Sequence, residues 1–246
     1  MCGIAGAVGY IDDRVAGAVR AADAAQRDRG PDGQGWWQSE LGADGLGVAF
    51  AHRRLAILDL TDAGAQPMHE PSTGCVIVFN GEVYNYQAIR RDLEPHGYTF
   101  SSDCDTEVIL KAYAHWGPSC VERFRGMFAY VLWDPRTRQA HIARDRLGIK
   151  PLYFATIPGK GGAVSVLFAS ELRSLLSTGL VERKLDPVGL ASYLWNGFVP
   201  GPNTIIRGIS LLPPGTQATI DVGRPMPEAT RYWRVPDGGA KTTVED

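Results

Sequence analysis

Apolar and polar residues alternate over short runs in the first 145 residues, and Gly, Pro and Asp separate the runs. Alternation with a period of two indicates half-buried β-strands. Because several runs follow one another without an intervening helix, the pattern favours antiparallel sheets over a doubly wound parallel sheet. The predicted strands lie at 2–10, 33–37, 46–58, 75–85, 127–133 and 140–145.

Helical periodicity appears between some of these strands, and we expect the helices to cover the outer faces of the sheets. The predicted helices lie at about 13–28, 86–95, 105–116 and 119–125.

The pattern changes in the last third of the chain. The glycine-rich stretch IPGKGG, within 151–171, separates two β-like runs and predicts a hairpin loop. Two short helices follow, one stopped at Gly179 and one beginning after Asp186. We therefore expect a domain over 2–180, and over 181–246 a linker that ends in a loose tail after Trp233.

Composition narrows the class of function. The 246 residues are 44% hydrophobic and carry a net charge of −2, with 25 basic and 27 acidic side chains interspersed. Such a chain offers no footprint for nucleic acid or a membrane surface, and it shows neither a long apolar run nor a charged leader. We expect a cytoplasmic protein that acts on a small molecule. The four cysteines and five histidines lack the spacing of a metal site or a disulfide framework, so we expect neither.

Cys2 follows Met1 and precedes a glycine, a context in which removal of the methionine would leave an N-terminal cysteine. Its α-amine, with an ordinary pKa of about 7.7–8.0, could then serve as the base for its own thiol. Taken alone, Cys2 is better explained as an ordinary cysteine near a chain start.

The segment FNGEVYN at 79–85 follows an apolar run. Asn-Gly after a strand predicts a hairpin turn, which is the simpler explanation of the pair. The alternative is an oxyanion site made by the Asn80 amide and the Gly81 backbone N–H.

Two charged positions have competing interpretations. Strand alternation sends Arg53 and Arg54 to opposite faces, so one of them is free to bind a carboxylate. Asp105 precedes a helical stretch, and its simplest role is that of an N-cap, for which Asp103 competes.

Together these motifs resemble the glutaminase domain of glutamine-hydrolysing asparagine synthetases, densely over about 1–155 and more thinly to about Trp233. The motifs are MCGIAG at 1–6, RGPDG at 29–33, HRRLAILDL at 52–60, QPM at 66–68, NGEVYN at 80–85, SDCDTEVIL at 102–110 and ARDRLGIKPLYF at 143–154.

The resemblance implies an α+β fold of the N-terminal nucleophile hydrolase type, a four-layer αββα sandwich of antiparallel sheets. It makes Cys2 the nucleophile, with Asn80 and Gly81 as the oxyanion hole. It also implies a set of glutamine-binding residues, in which Arg54 binds the α-carboxylate and Asp105 the α-ammonium group. That set is Arg54, Leu55, Ala56, Ile57, Leu58, Glu82 and Asp105. Because SSDCDTEVIL contains two extra residues relative to the family's Ser-Asp-Thr-Glu pattern, Asp103 is the alternative for the α-ammonium contact.

Asparagine synthetases continue into an ATP-binding domain with a Ser-Gly-Gly-x-Asp-Ser loop, which the printed sequence lacks. The resemblance makes residues 181–246 a linker and the start of a synthetase domain that is otherwise absent. We therefore expect no cofactor for this chain, with ATP and Mg needed only by a synthetase domain or subunit that accepts the ammonia. A homodimer is compatible with the resemblance. Two other functions stay open: a glutamine-binding module without turnover, and the glutaminase domain of another class II amidotransferase.

Overall fold

The computed structural model describes residues 1–57 and 59–236. The strands are β1 (Gly3–Tyr10), β2 (Gly33–Gln38), β3 (Leu46–Arg54), β4 (Met68–Glu70), β5 (Cys75–Val83), β6 (Gly126–Asp134), β7 (Gln139–Arg144), β8 (Tyr153–Pro158), β9 (Val164–Ala169), β10 (Ser210–Leu211), β11 (Thr216–Asp221) and β12 (Thr230–Arg231). The helices are α1 (Asp13–Ala24), α2 (Tyr86–Leu93), α3 (Asp105–Trp116), α4 (Leu172–Ser177) and α5 (Pro187–Asn196).

The strands form two six-stranded sheets in which neighbouring strands are antiparallel. The first sheet has the order β10-β8-β9-β1-β3-β2, and the second has the order β12-β11-β7-β6-β5-β4. An apolar core that includes Phe50 of the first sheet and Val131 of the second lies between them. Helices α1 and α4 cover the outer face of the first sheet, and α2 and α3 cover that of the second. The predicted αββα sandwich is confirmed.

Strand β1 shows how the sequence produces these layers. Ile4 and Val8 belong to the core between the sheets, whereas Ala5 and Ala7 belong to the core under α1. Successive side chains of a strand point to opposite faces, and the small alanines let the helix pack closely against the sheet. The alternation that predicted a strand therefore also sets the spacing of two layers.

Two predicted helices are shorter or tighter than expected. The helix predicted at 13–28 ends at Ala24, and two side chains of the segment that follows bind the start of β1. Gln26 Nε2 donates to the Ile4 carbonyl at 3.2 Å, and Arg29 Nε donates to the Cys2 carbonyl at 2.9 Å. The segment predicted as a helix at 119–125 is a 3₁₀ stretch, Gly117–Arg123.

The later elements match their predictions. β8 and β9 pair as a hairpin across the glycine-rich insert, and α4 ends at Ser177. Helix α5 begins at Pro187, where the Asp186 carboxylate accepts hydrogen bonds from the N–H groups of Val188 and Gly189. A carboxylate N-cap followed by proline at the first helical position is a strong helix start.

The sheets continue past residue 180, where the sequence predicted a domain boundary. Strand β10 extends the first sheet beside β8, and β11 and β12 extend the second sheet beside β7. Segment 181–236 therefore contributes to both sheets, and the end of the chain from 237 to 246 lies outside the described residues. None of the helices in the described ranges is long and apolar enough to cross a membrane.

Candidate active site

A cavity of about 200 Å³ opens at one end of the sandwich, where β1 begins and β3 and β5 end. The register of β1 and β3 pairs Gly3 with Arg53, which places Cys2 beside the last residues of β3. The cavity is lined by Met1, Cys2, Arg54, Leu55, Ile57, Asp59, Gly64, Gln66, Phe79, Asn80, Gly81, Glu82, Cys104, Asp105, Thr106, Met127 and Lys150. The structure thus brings most of the sequence-predicted site residues into one space.

Cys2 is held on both sides by backbone and side-chain contacts. Its Sγ donates to the Leu55 carbonyl at 3.6 Å and accepts from the Leu55 N–H at 3.4 Å. Its carbonyl accepts from Arg29, which also forms an ion pair with Glu171 at 3.1 Å. Burial raises the pKa of the Cys2 thiol, against the lowering effects of the Leu55 N–H and the N-terminal charge.

Met1 lines the same cavity, and its peptide bond occupies the Cys2 nitrogen. An amide nitrogen is not basic, so the chain with Met1 attached lacks the base that an N-terminal cysteine would carry. Removal of Met1 would therefore expose an amine and clear part of the cavity.

Asn80 carries a buried amide without a partner. The residue is 1% exposed, and its Nδ2 has no hydrogen-bond acceptor in the described part of the chain. Leaving a buried donor unpaired costs about 1–3 kcal/mol. A donor that borders a cavity and has no protein partner is suited to an oxygen atom of a ligand.

The Asn-Gly pair is not a hairpin turn, contrary to the simpler sequence interpretation. Asn80 and Gly81 lie within β5, opposite Ala129 and Phe128 of β6. Gly81 has φ +156°, and a Cβ there would collide with the Met127 carbonyl oxygen and the Phe128 Cα. Glycine is needed because β6 approaches closely and the backbone conformation is unfavourable for other residues.

The two arginines separate as strand alternation predicts. Arg53 forms an ion pair with Asp23 at 2.7 Å, away from the cavity. Arg54 lines the cavity, and its guanidinium donates to the carbonyls of Thr61, at 2.7 Å, and Asp59. Among the described residues Arg54 has no carboxylate partner, so its charge remains available to an anion.

Asp105 is the first residue of α3 and not its N-cap, a position that Cys104 occupies. Its Oδ2 accepts from the Val83 N–H at 2.8 Å, and the residue is 3% exposed. Burial, with a smaller contribution from the nearby Glu82 charge, raises the pKa of Asp105 to about 6, against the lowering effect of its hydrogen bonds to the Val83 N–H and the Cys104 thiol. No cation pairs with Asp105 in residues 1–57 and 59–236, so its carboxylate is suited to bind a positively charged group.

Asp103, the competing candidate for the N-cap of α3, is an exposed surface residue and does not cap the helix. Its side chain is 91% exposed and forms an ion pair with Arg90 at 3.3 Å. The residue is absent from the cavity lining, whereas Asp105 is part of it.

Of the remaining predicted site residues, some line the cavity and others do not. Leu55, Ile57 and Glu82 line the cavity, whereas Ala56 does not, since its N–H binds the Asp32 carboxylate at 2.9 Å. Leu58 lies outside the described residues. Among those described, no three His, Cys, Asp or Glu side chains converge as metal ligands.

Sequence reasoning missed several polar residues of the cavity, among them Gln66 and Lys150, although both of these lie in motifs quoted above. Gln66 accepts from the Phe79 N–H at 2.6 Å and donates to Thr106 at 3.3 Å, so it links β5 to α3. Lys150 ends the turn after β7 and is 6% exposed. Its position at the end of a glycine-containing turn marks it as a loop residue, but only the fold shows that this turn borders the cavity.

Comparisons with known proteins agree with this geometry. A family model described as a glutamine amidotransferase domain matches residues 1–233. A putative glutamine-hydrolysing asparagine synthetase of Mycobacterium tuberculosis is 40% identical over 263 aligned residues, covering 100% of this chain and 39% of the relative. Asparagine synthetase 1 of Bacillus subtilis, also glutamine-hydrolysing, is 40% identical over 192 residues, covering 78% of this chain and 28% of the relative.

A solved structure of the glutamine phosphoribosylpyrophosphate amidotransferase of B. subtilis, complexed with ADP and GMP, has the same fold. It superposes with a TM-score of 0.66 at 15% identity, over 94% of this chain and 49% of that chain. The chain thus spans less than half the length of these proteins. The match over residues 1–233 and the similarity to asparagine synthetases confirm the predicted resemblance, and the chain belongs to the glutamine amidotransferase domain family.

Proposed function

We propose that this chain, once Met1 is removed, hydrolyses glutamine to glutamate and ammonia through a thioester on Cys2. The observation that carries the proposal is the convergence on one cavity of the Cys2 thiol, the Arg54 guanidinium, the Asp105 carboxylate and the Asn80 amide, whose Nδ2 has no partner among the described residues. Family membership supports the same reaction class.

The reaction proceeds in two balanced steps. The Cys2 sulfur attacks the side-chain amide carbon of glutamine, and the thiol proton passes through the α-amine to the leaving nitrogen. Ammonia departs and a thioester remains. Water then attacks the thioester, which releases glutamate and restores the thiol. In both steps the Asn80 amide and the Gly81 N–H would donate hydrogen bonds to the tetrahedral oxyanion.

Selectivity for an amino acid would follow from the opposite charges of Arg54 and Asp105 in the cavity lining. Arg54 is suited to the α-carboxylate and Asp105 to the α-ammonium group, with Glu82 beside it. A simple amide would leave both charges without partners, and an uncompensated buried charge costs about 3–5 kcal/mol. The cavity of about 200 Å³ suits a small molecule of this kind.

The ammonia would pass to a synthetase domain or subunit, in keeping with relatives of which this domain is only a part. The relatives' names support asparagine formation as the final reaction. The glutaminase step needs no cofactor, whereas activation of a carboxylate by the synthetase would need ATP and Mg. We place the protein in the cytoplasm and include a homodimer among its assembly states.

The test is to incubate the purified chain with glutamine, to assay glutamate and ammonia, and to record the intact mass. We expect equal amounts of both products from protein that lacks Met1, and none from a Cys2→Ala variant. Protein that lacks Met1 and binds glutamine without forming either product would instead identify a binding module. Any asparagine formed from added ATP and aspartate by this chain alone would contradict the assignment of that reaction to a synthetase.

A further inference from the structure

Lys150 is a largely buried residue whose ammonium group the proposed mechanism does not use. It lines the cavity with Cys2 and Glu82 and is 6% exposed. Its Nζ makes no hydrogen bond or ion pair with any side chain that the structure describes. Because a lysine side chain is rarely buried without a partner, its place in the lining of the same cavity as the proposed nucleophile needs a reason.

The turn that carries Lys150 is fixed by two neighbouring charged residues. Arg144 donates to the carbonyls of Gly148, Lys150 and Leu212. The Asp145 carboxylate accepts hydrogen bonds from the backbone N–H groups of Phe128, Leu147, Ile149 and Lys150. Since the side chains of Arg144 and Asp145 are both occupied by backbone groups, they fix the turn that carries Lys150.

The charges around Lys150 are mixed. Burial and the Arg29 guanidinium lower the pKa of Lys150, whereas Cys2, Asp145 and Glu82 raise it. Arg29 is already paired with Glu171, and Asp145 is occupied by four N–H groups. The groups left to respond to Lys150 are therefore Cys2 and Glu82.

The charges around Cys2 leave room for such an influence. Burial raises the pKa of its thiol, the N-terminal charge and Arg54 lower it, and Asp105 raises it. Arg54 is bound to loop carbonyls and is assigned to the substrate carboxylate, which would offset its charge when glutamine is present.

We propose that the Lys150 ammonium acts on the reaction through Cys2, by favouring the thiolate over the thiol and the neutral α-amine over its protonated form. Both effects come from one positive charge, which stabilises a neighbouring anion and repels a neighbouring cation. A more acidic thiol and an unprotonated amine are the two states that attack requires. The inference rests on the proposed function, because it assigns a role within that mechanism.

The experiment measures the rate at which iodoacetamide alkylates Cys2 between pH 5 and 10, in protein that lacks Met1 and without glutamine. The thiolate displaces iodide, so the rate reports the thiolate fraction, and peptide mapping separates Cys2 from the three buried cysteines. We expect Lys150→Met to shift the profile upward by about one pH unit, which makes alkylation about tenfold slower at pH 7. Lys150→Arg should restore the profile, and Lys160→Met, on an exposed loop, should leave it unchanged.

A second readout uses turnover. Lys150→Met should move the acidic limb of the kcat/KM profile for glutamine to higher pH, and Lys150→Arg should not. An unshifted alkylation profile in a folded Lys150→Met or Lys150→Gln variant would overturn the inference, as would loss of folding in both, which would assign Lys150 to the fold. A shifted profile in a chain without glutaminase activity would retain the inference about Cys2 and reject the proposed function.

Discussion

Replacing Asp105 with asparagine should stabilise the free protein and weaken glutamine binding. The residue is 3% exposed, has no cationic partner in the described ranges, and its carboxylate accepts hydrogen bonds from the Val83 N–H and, at 3.7 Å, from the Cys104 thiol. Asparagine keeps an oxygen for the hydrogen bond from the Val83 N–H and removes the buried charge. The variant therefore separates the effect of the buried charge on protein stability from its effect on glutamine binding.

The magnitude follows from the pKa of Asp105. Burial raises it from the ordinary value of 3.8 to about 6, so the folded protein holds this proton more tightly than the unfolded chain does. The stabilising contribution of the proton is present below pH 3.8 and is lost as the pH rises through about 6. At about 1.4 kcal/mol per pH unit, the charged carboxylate costs the free protein about 3 kcal/mol at pH 8.

Urea denaturation at two pH values checks this estimate. We expect Asp105→Asn to raise the free energy of unfolding by about 3 kcal/mol at pH 8 and by less than about 1 kcal/mol at pH 4. In glutaminase assays the same variant should raise KM for glutamine by about 100-fold, since the α-ammonium group loses its buried partner.

Asp103→Asn is the matched control, because Asp103 is exposed and lies outside the cavity lining. It should change neither the stability difference between the two pH values nor KM. If Asp105→Asn is no more stable than the parent at pH 8, the burial argument is wrong. If Asp103→Asn raises KM instead, the two aspartates have been assigned in the wrong order.

Two further substitutions test the oxyanion site. Asn80→Ala should lower kcat by about 100-fold to 1000-fold with little change in KM or in the urea midpoint, because its Nδ2 has no partner in the described fold; a normal kcat would remove Asn80 from the mechanism. Gly81→Ala should destabilise the protein by about 1–3 kcal/mol in urea denaturation, because its Cβ meets the β6 backbone at φ +156°; an unchanged midpoint would contradict the close approach of the two strands.

Strand alternation predicted much of the fold, because the same period of two places side chains in different layers. It indicated β1 and β5, and it separated Arg53 from Arg54. It did not predict that β3 ends at Arg54, because the apolar pattern of the sequence continues to residue 58. Leu55 leaves the sheet to contact Cys2, and this tertiary contact has no local signature.

Predictions from local sequence were wrong at several residues whose conformation depends on tertiary contacts around the cavity. Asn80-Gly81 has the composition of a turn, yet it stays in β5 because Gly81 is needed for the close approach of β6. Asp105 has the position of an N-cap, yet its carboxylate faces the cavity and binds the Val83 N–H. Lys150 and Gln66 reach the cavity through a turn and a loop whose destinations only the packed sheets define.

The most direct test of the proposed mechanism is rapid-quench mass spectrometry of protein that lacks Met1, mixed with glutamine. A glutamyl group should appear on the peptide that begins with Cys2, and hydroxylamine should remove it, as it does a thioester. The Cys2→Ala variant should acquire no such group. Steady release of glutamate without a Cys2 adduct, or an adduct on Cys104, which also lines the cavity, would contradict the assignment of Cys2 as the nucleophile.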